Sequence, residues 1–210
     1  MVAVENGHAA VTSTLLDFAK AHSVESSDIL TRQLINAAIG AGDASVFRAL
    51  AAADPNVITY PLPHGARPLY EAVRRRKPDL VAALLELGAD PLTAKEGAGE
   101  LSYHTSLMCH AALCEGMGVT EMLLERGVPL AQTGALHAAA KYGRFDTIRL
   151  LLRHGADVNE VLLNGFGRTP LHFAAWKGQV EAMKLLEENG ARGDIKDEHG
   201  KTAQQLLEEA

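Results

Sequence analysis

The sequence is poor in cysteine, on which predictions of structural zinc sites and disulfides rest. Its only cysteines, Cys109 and Cys114, form no C-x-x-C pair and have no second pair, which excludes the usual structural zinc site. On a helix, this separation turns the two side chains about 500° apart, so we expect no disulfide between them. The usual nucleotide, zinc-protease, serine-hydrolase and EF-hand motifs are also missing. We predict no cofactor and no metal.

The chain has neither an excess of positive charge nor a long apolar run. Its 210 residues carry a formal net charge of -6, so no overall basic field attracts nucleic acid or anionic lipid. No apolar stretch is long enough for a membrane helix, and the first residues do not resemble a signal peptide. Unpaired cysteines fit a reducing compartment. These features predict a soluble intracellular protein, cytoplasmic or nuclear, with no nucleic-acid or membrane partner.

What the sequence has instead is a repeat. Aromatic residues make up 5% of the chain, while alanine and leucine, both strong helix formers, are plentiful. One column of apolar residues recurs at intervals of 35, 39, 28 and 35, and a second column keeps the same four intervals. The first column contains Leu34, Leu69, Met108, Leu136 and Leu171. The second contains Ala49, Leu84, Leu123, Leu151 and Leu186. Each unit reads as two short helices followed by a glycine.

The repeat resembles the ankyrin repeat, whose period is about 33 and whose core is T-P-L-H-x-A. TPLHFAA (169–175) matches in full and GALHAAA (134–140) in part. The resemblance implies an all-α solenoid of about five repeats of paired antiparallel helices with hairpin fingers. We expect the repeats at about 31–65, 66–101, 102–132, 133–165 and 166–199. A divergent helical unit (1–30) and a last helix (200–210) are expected to cap the stack.

Two histidines of the motif are predicted to be structural. The resemblance implies that His137 and His172 hydrogen-bond the backbone of a neighbouring unit. The other units carry Ile35, Tyr70 and Cys109 in the same column, and a catalytic role would not survive these substitutions.

The resemblance also implies a non-catalytic protein-protein interaction module that binds another protein, of unknown identity, through a concave groove and the hairpin fingers. Three helix positions in each unit are expected to face the groove. Aromatic and arginine side chains are the typical anchors of interfaces. The predicted groove contacts are Glu71, Arg74, Arg75, His110, Lys141, Tyr142, Phe173, Trp176 and Lys177.

The finger at 156–170 is two residues longer than the finger that follows it, and it is unusually apolar. Leu162, Leu163 and Phe166 are predicted partner contacts at its tip. An equal alternative is that the finger folds back and packs on its own first helices. The insertion 91–106 ends with Tyr103 and His104, whereas 128–134 is too short for a full finger.

This irregular row of fingers motivates a second hypothesis, a small-molecule-binding protein or an unconventional enzyme. Its pocket would lie in the concave face around His104, His110 and Tyr142. A small-molecule ligand is the less favoured partner, and the sequence leaves enzymatic activity open while favouring none. The residues available for acid-base or thiol chemistry would be Glu71, His104, His110, Cys114, Lys141 and Tyr142.

Overall fold

The structure is a computed structural model that describes residues 28–62, 65–93, 106–162 and 165–209. It divides into two compact parts, residues 1–99 and 100–210. Helices account for all the regular structure of the described residues, in which no β-strand forms. This confirms the predicted all-α class. The predicted N-terminal unit (1–30) lies almost entirely outside the described residues, as do Tyr103, His104 and Leu163.

The first part contains two successive helix pairs. Helices α1 (Asp28–Ala41) and α2 (Ala44–Ala53) form one pair, and α3 (Pro68–Arg74) and α4 (Pro78–Glu86) form the next. Short 3-10 turns lie at Pro55–Ile58 and Pro91–Thr93. Asp43 caps α2 by accepting the Ser45 N–H, while prolines begin α3 and α4, where no N–H partner is needed. The core between these helices includes the fully buried Phe47 and Leu84.

The second part continues the same pattern. It contains α5 (Leu107–Ala112), α6 (Gly118–Leu124), α7 (Ala135–Lys141), α8 (Phe145–Arg153), α9 (Pro170–Trp176), α10 (Val180–Glu188) and α11 (Ala203–Glu208). Helix α7 packs on α5, α8 and α9, and α9 packs in turn on α10 and α11. Ala139, Ala140, Ala174 and Ala175 are completely buried, and their small side chains allow this close approach. The short first helices are therefore held on several sides.

Each first helix turns sharply into its second helix. Gly143 and Gly178 take left-handed backbone conformations, with φ of 61° and 64°, two residues after the ends of α7 and α9. The Gly178 and Gln179 N–H groups donate to the carbonyls of Ala175 and Ala174, which closes the end of α9. In the first part Arg76 adopts the corresponding conformation, with φ of 57°, at a cost that glycine avoids. These turns fix the positions of the side chains immediately before them.

Candidate functional site

The two motif histidines form the backbone hydrogen bonds that the resemblance implies. His172 Nε2 lies 3.1 Å from the Lys201 carbonyl oxygen, and His137 Nε2 lies 3.0 Å from that of Glu160. Both imidazoles are completely buried. Each histidine thus joins the start of a first helix to the finger that follows it, and the predicted hydrogen bonding is confirmed.

The surroundings of the two rings differ at Nδ1. The Thr169 N–H donates to His172 Nδ1 over 3.3 Å, so Nε2 carries the proton that His172 donates to Lys201. Gly134 stands where the next repeat has Thr169, and His137 Nδ1 has no hydrogen-bond partner in the described residues. The nearest carboxylate oxygen, Glu160 Oε2, is 3.9 Å away. Burial lowers the pKa of His137 from 6.5 to about 4, so this ring is neutral at pH 7.

The short segment 128–134 is tied to the long finger rather than standing alone. The Gln132 N–H donates to Glu160 Oε1 over 2.6 Å, and Gln132 Nε2 donates to the Val161 carbonyl over 3.1 Å. Burial raises the pKa of Glu160, although the hydrogen bond from Gln132 opposes this shift. The base of the long finger is therefore anchored to the unit before it.

The long finger folds back in part. Leu162 is only 2% exposed and packs on Phe173, itself 5% exposed, so neither side chain offers surface to a partner. This corrects the expectation that Leu162 and Phe173 contact a partner, because Leu162 of the finger covers Phe173 of α9. Phe166 does remain outside, 59% exposed, and stacks on His199 with 6.3 Å between ring centroids. Leu163 lies outside the described residues.

A cluster of aromatic and cationic residues lies where α7 and α9 end; we call it the Lys-Trp surface and define it as Lys141, Tyr142, Trp176 and Lys177. Trp176 is 42% exposed and Tyr142 is 53% exposed. Lys141 Nζ lies 4.9 Å from the Trp176 ring centroid and 5.4 Å from that of Tyr142. Lys177 Nζ lies 4.5 Å from the Trp176 centroid. Both ammonium groups are within cation-π range of the indole.

Trp176 is supported from beneath by buried rings. Phe173 meets it edge to face, with 6.4 Å between centroids, and His137 meets Phe173 in the same way at 5.5 Å. Such aromatic contacts fix ring orientation as well as burying area. The indole therefore presents an exposed face from a fixed position.

One further cation borders the Lys-Trp surface, but it is already paired. Arg168 Cζ lies 5.9 Å from the Trp176 centroid, and its Nε donates to Asp197 Oδ2 over 3.1 Å. Asp197 is buried and also accepts the N–H groups of His199 and Lys201. Among the described residues, no carboxylate forms an ion pair with Lys141 or Lys177. The positive charge of the surface resides in these two lysines.

In the first part, the predicted contacts Glu71, Arg74 and Arg75 form a cluster that we call the Glu-Arg cluster. Arg74 binds the Glu71 carboxylate with two nitrogens, at 3.0 and 2.7 Å, and Arg75 Nε adds a third bond at 3.1 Å. Partial burial raises the pKa of Glu71, but the bonds from Arg74 and Arg75 outweigh it, and the net pKa is lowered. The carboxylate is therefore ionised and occupied by its own neighbours.

The residues of the enzyme hypothesis are not arranged as the sequence suggested. Helix α5 ends at Ala112, so Cys114 lies beyond it, and Cys114 Sγ points to the His110 carbonyl oxygen at 3.6 Å. Cys114 is buried. Burial also raises the pKa of Cys109 to about 11, which keeps that thiol protonated. His104 lies outside the described residues, and Glu71 belongs to the other compact part.

Three surface depressions of the described residues bear on the small-molecule hypothesis. One depression has a volume of about 480 Å³ and is lined in part by Met117, Arg149, Arg153 and Leu185. A second has a volume of about 340 Å³ and is lined in part by Cys114 and Arg144. A smaller one of about 100 Å³ borders Glu160. His110, Lys141 and Tyr142 line none of these three. Among the described residues no group of three His, Cys, Asp or Glu side chains is placed to hold a metal ion.

Comparisons with known proteins agree with this fold. A family model described as "Ankyrin repeats (many copies)" matches residues 136–187. The crystal structure of the ankyrin repeat domain of Bcl-3, a member of the IkappaB family, superposes with a TM-score of 0.70 at 22% identity, covering 99% of this chain and 95% of that one. This chain is an ankyrin repeat protein. The predicted repeat bounds and caps stay predictions.

The curated relatives match part of this ankyrin chain. The putative palmitoyltransferase ZDHHC13 of Danio rerio is 30% identical over 149 residues, which cover 68% of this chain and 22% of that protein. The human SH3 and multiple ankyrin repeat domains protein 2 is 29% identical over 148 residues, covering 68% and 8%. The E3 ubiquitin-protein ligase hecd-1 of Caenorhabditis elegans is 38% identical over 65 residues, which cover 31% of this chain and 2% of that protein. The chain therefore spans about a fifth or less of these relatives.

None of the described helices combines the length and the apolar character needed to cross a bilayer.

Proposed function

We propose that this protein is a non-catalytic interaction module that binds another protein mainly through the Lys-Trp surface, with Phe166 of the long finger as a neighbouring contact. Ankyrin repeats are in general protein-protein interaction modules, which supports the class of function. The residues come from the geometry of this chain. Glu71, Arg74, Arg75 and His110 stay predicted contacts of secondary weight.

The observation that carries the proposal is the exposure of Trp176 on a rigid support. A tryptophan that is 42% exposed leaves a large apolar area in water, and Phe173 and α9 hold it in place. Tryptophan and tyrosine are enriched among the residues that dominate binding energy at interfaces. Because the ring is already ordered, a partner that covers it loses little side-chain entropy on binding.

Long side chains add to the surface around the indole. The ammonium groups of Lys141 and Lys177 lie over the Trp176 ring, 4.9 and 4.5 Å from its centroid, so positive charge and apolar area adjoin at this surface. Protein interfaces likewise combine an apolar centre with polar groups around it. Cys109 and Cys114 are buried and form no disulfide, which supports an intracellular location that we propose with the function.

A capture experiment tests the proposal. The wild-type chain and Tyr142→Ala/Trp176→Ala are immobilised, and retained proteins from an extract are identified and then repurified for a binding measurement. Phe145→Ala is the control, because Phe145 is an exposed aromatic residue outside the Lys-Trp surface.

We expect a purified partner to bind the wild type and Phe145→Ala equally and the double variant at least about tenfold more weakly. The proposal is wrong if the partner binds all three chains alike. It is also wrong if the double variant loses binding only because it has unfolded, which its circular dichroism would reveal.

A further inference from the structure

We propose that the Lys-Trp surface receives an acidic segment of its partner, with carboxylates seated on Lys141 and Lys177 and an apolar side chain on Trp176. This inference rests on the proposed function and names the chemistry of the partner. It follows from the positions of the cations, from the charge of the rest of the chain, and from a comparison with the Glu-Arg cluster.

The two ammonium groups are placed to act together. Both lie within 5 Å of the same indole centroid, at 4.9 Å for Lys141 and 4.5 Å for Lys177. An ammonium group over an aromatic ring still has N–H donors directed away from it, and lysine imposes little directionality on a carboxylate. A partner side chain that reaches Trp176 therefore meets positive charge beside it.

The carboxylate that would neutralise this charge is not supplied by the described residues. Arg168 on the finger is satisfied by Asp197, whereas Lys141 and Lys177 form no ion pair there. The chain as a whole carries a net charge of -6. A cationic spot on an acidic protein favours an acidic ligand at that place and disfavours it elsewhere, which orients the complex.

In the Glu-Arg cluster, cations at the corresponding helix positions are paired with a carboxylate of the same helix. Glu71 lies two residues after the repeat anchor Leu69 and binds both Arg74 and Arg75. In the two repeats that contain the Lys-Trp surface, the corresponding residues are Ala138 and Phe173, which carry no charge. The acid that the first cluster supplies from its own helix is thus missing beside Lys141 and Lys177. We infer that the partner supplies it.

An acidic protein segment fits this surface better than nucleic acid does. A phosphate backbone is bound by many basic residues along a track, and its affinity grows with the number of phosphates neutralised. Here two lysines border one indole, and Arg168 is already paired. The combination of an apolar face and two cations matches alternating acidic and apolar side chains.

Trp176 is the only tryptophan in the chain, so its fluorescence reports directly on the proposed site. Short random peptides displayed on phage are selected on the full chain, and the selected peptides are synthesised with their Glu and Asp residues intact or replaced by Gln and Asn. Binding is followed by Trp176 emission and by isothermal titration calorimetry, which also measures binding to Trp176→Ala, a variant without tryptophan. The variants are Lys141→Gln/Lys177→Gln and, as a charge-matched control, Lys184→Gln/Lys196→Gln, whose lysines are exposed elsewhere in the second part. An oligothymidine strand serves as the nucleic-acid probe.

We expect acidic residues to be enriched among the selected peptides, and their neutral counterparts to bind about tenfold more weakly. Lys141→Gln/Lys177→Gln should lose a similar factor while the control variant binds like the wild type, and the difference should shrink at high salt.

Three results would overturn the inference. Neutral or basic peptides that depend on Trp176 would reject the acidic partner and leave the proposed function intact. Tighter binding of the oligothymidine than of any peptide would assign the surface to nucleic acid. Selected peptides that bind Trp176→Ala unchanged, or no peptide selected at all, would contradict both the inference and the proposed function.

Discussion

The Glu-Arg cluster and the Lys-Trp surface lie at matching places in their repeats, just before the turn between the two helices. The cations of the cluster are paired with a carboxylate, whereas the lysines of the surface form no ion pair with the described residues. In the first, Arg74 and Arg75 close on Glu71. In the second, two lysines lie along Trp176 and meet no carboxylate of the described residues. The scaffold is the same, and what differs is whether the repeat satisfies its own polar groups. A repeat that leaves them unsatisfied is the better candidate for binding a partner.

The largest expected effect tests whether the two places rest on equivalent cores. Leu84 and Leu151 occupy the same repeat column and are both completely buried. Leu84→Ala and Leu151→Ala should each lower the free energy of unfolding by about 2–5 kcal/mol, because each leaves a cavity. Urea denaturation followed by circular dichroism measures this. Loss at only one of the two sites would show that the cores are not equivalent.

Acid should destabilise the second part more than the first, because only the second part has histidines directly after its repeat anchors. Burial lowers the pKa of His137 to about 4 and also lowers that of His172, whereas Ile35 and Tyr70 stand in this column in the first part. As the pH falls below 6.5, the unfolded chain binds protons that the folded chain refuses, so stability is present above pH 6.5 and is lost towards pH 4. Between these two pKa values, one such histidine lowers the free energy of unfolding by about 1.4 kcal/mol for each pH unit of acidification.

Hydrogen exchange at pH 5 and pH 7 locates this loss. We expect amides of α7 and α9 to lose protection at pH 5 and amides of α3 to keep it. His137→Gln keeps a donor for the Glu160 carbonyl but does not titrate, so its stability should vary less with pH than that of the wild type. An equal pH dependence in the variant would show that His137 is not the titrating group.

The comparison also predicts where binding energy is concentrated. Trp176→Ala should weaken partner binding by about 2 kcal/mol or more, as at interface hot spots, while changing the free energy of unfolding much less. Arg74→Ala should change binding by well under half of that, because Arg74 is already bound to Glu71. Isothermal titration calorimetry with a purified partner measures both. Equal losses of binding free energy for the two variants would mean that the Glu-Arg cluster contributes as much to binding as the Lys-Trp surface.

The smallest effect is expected from removing the ion pairs of the Glu-Arg cluster. Glu71→Gln removes the carboxylate that holds Arg74 and Arg75, and exposed ion pairs contribute about 0.2–1 kcal/mol to stability. We therefore expect a loss of unfolding free energy within this range and a weakening of partner binding smaller than that of Arg74→Ala. The measurement is urea denaturation with a parallel titration. A loss of binding as large as that of Trp176→Ala would assign the cluster to the interface.

The sequence was sufficient for the fold and for the role of the motif histidines because both depend on short local patterns. The repeated anchors predicted the helix pairs, and the T-P-L-H match implied the hydrogen bond of His172 that the structure contains. Phe173 was placed in the groove from helical register alone. Its burial depends on the path of the long finger, which brings Leu162 back onto it.

The chemistry of the Lys-Trp surface was predictable only in its composition. Lys141, Tyr142 and Trp176 were expected to face one groove, but register does not specify that Lys141 lies over both aromatic rings. Nor does it indicate that Arg168 is occupied by Asp197, since that pair joins two different fingers. Such contacts depend on side-chain conformations and on residues from different repeats, which periodicity does not encode.

The most direct test of the central claim is the fluorescence of Trp176 during titration with the purified partner, because no other tryptophan contributes to the signal. If the partner covers the indole, its emission shifts to shorter wavelength, and the shift saturates at the same concentration as binding measured by calorimetry. Binding that saturates while the emission of Trp176 stays unchanged would place the partner elsewhere and contradict the account.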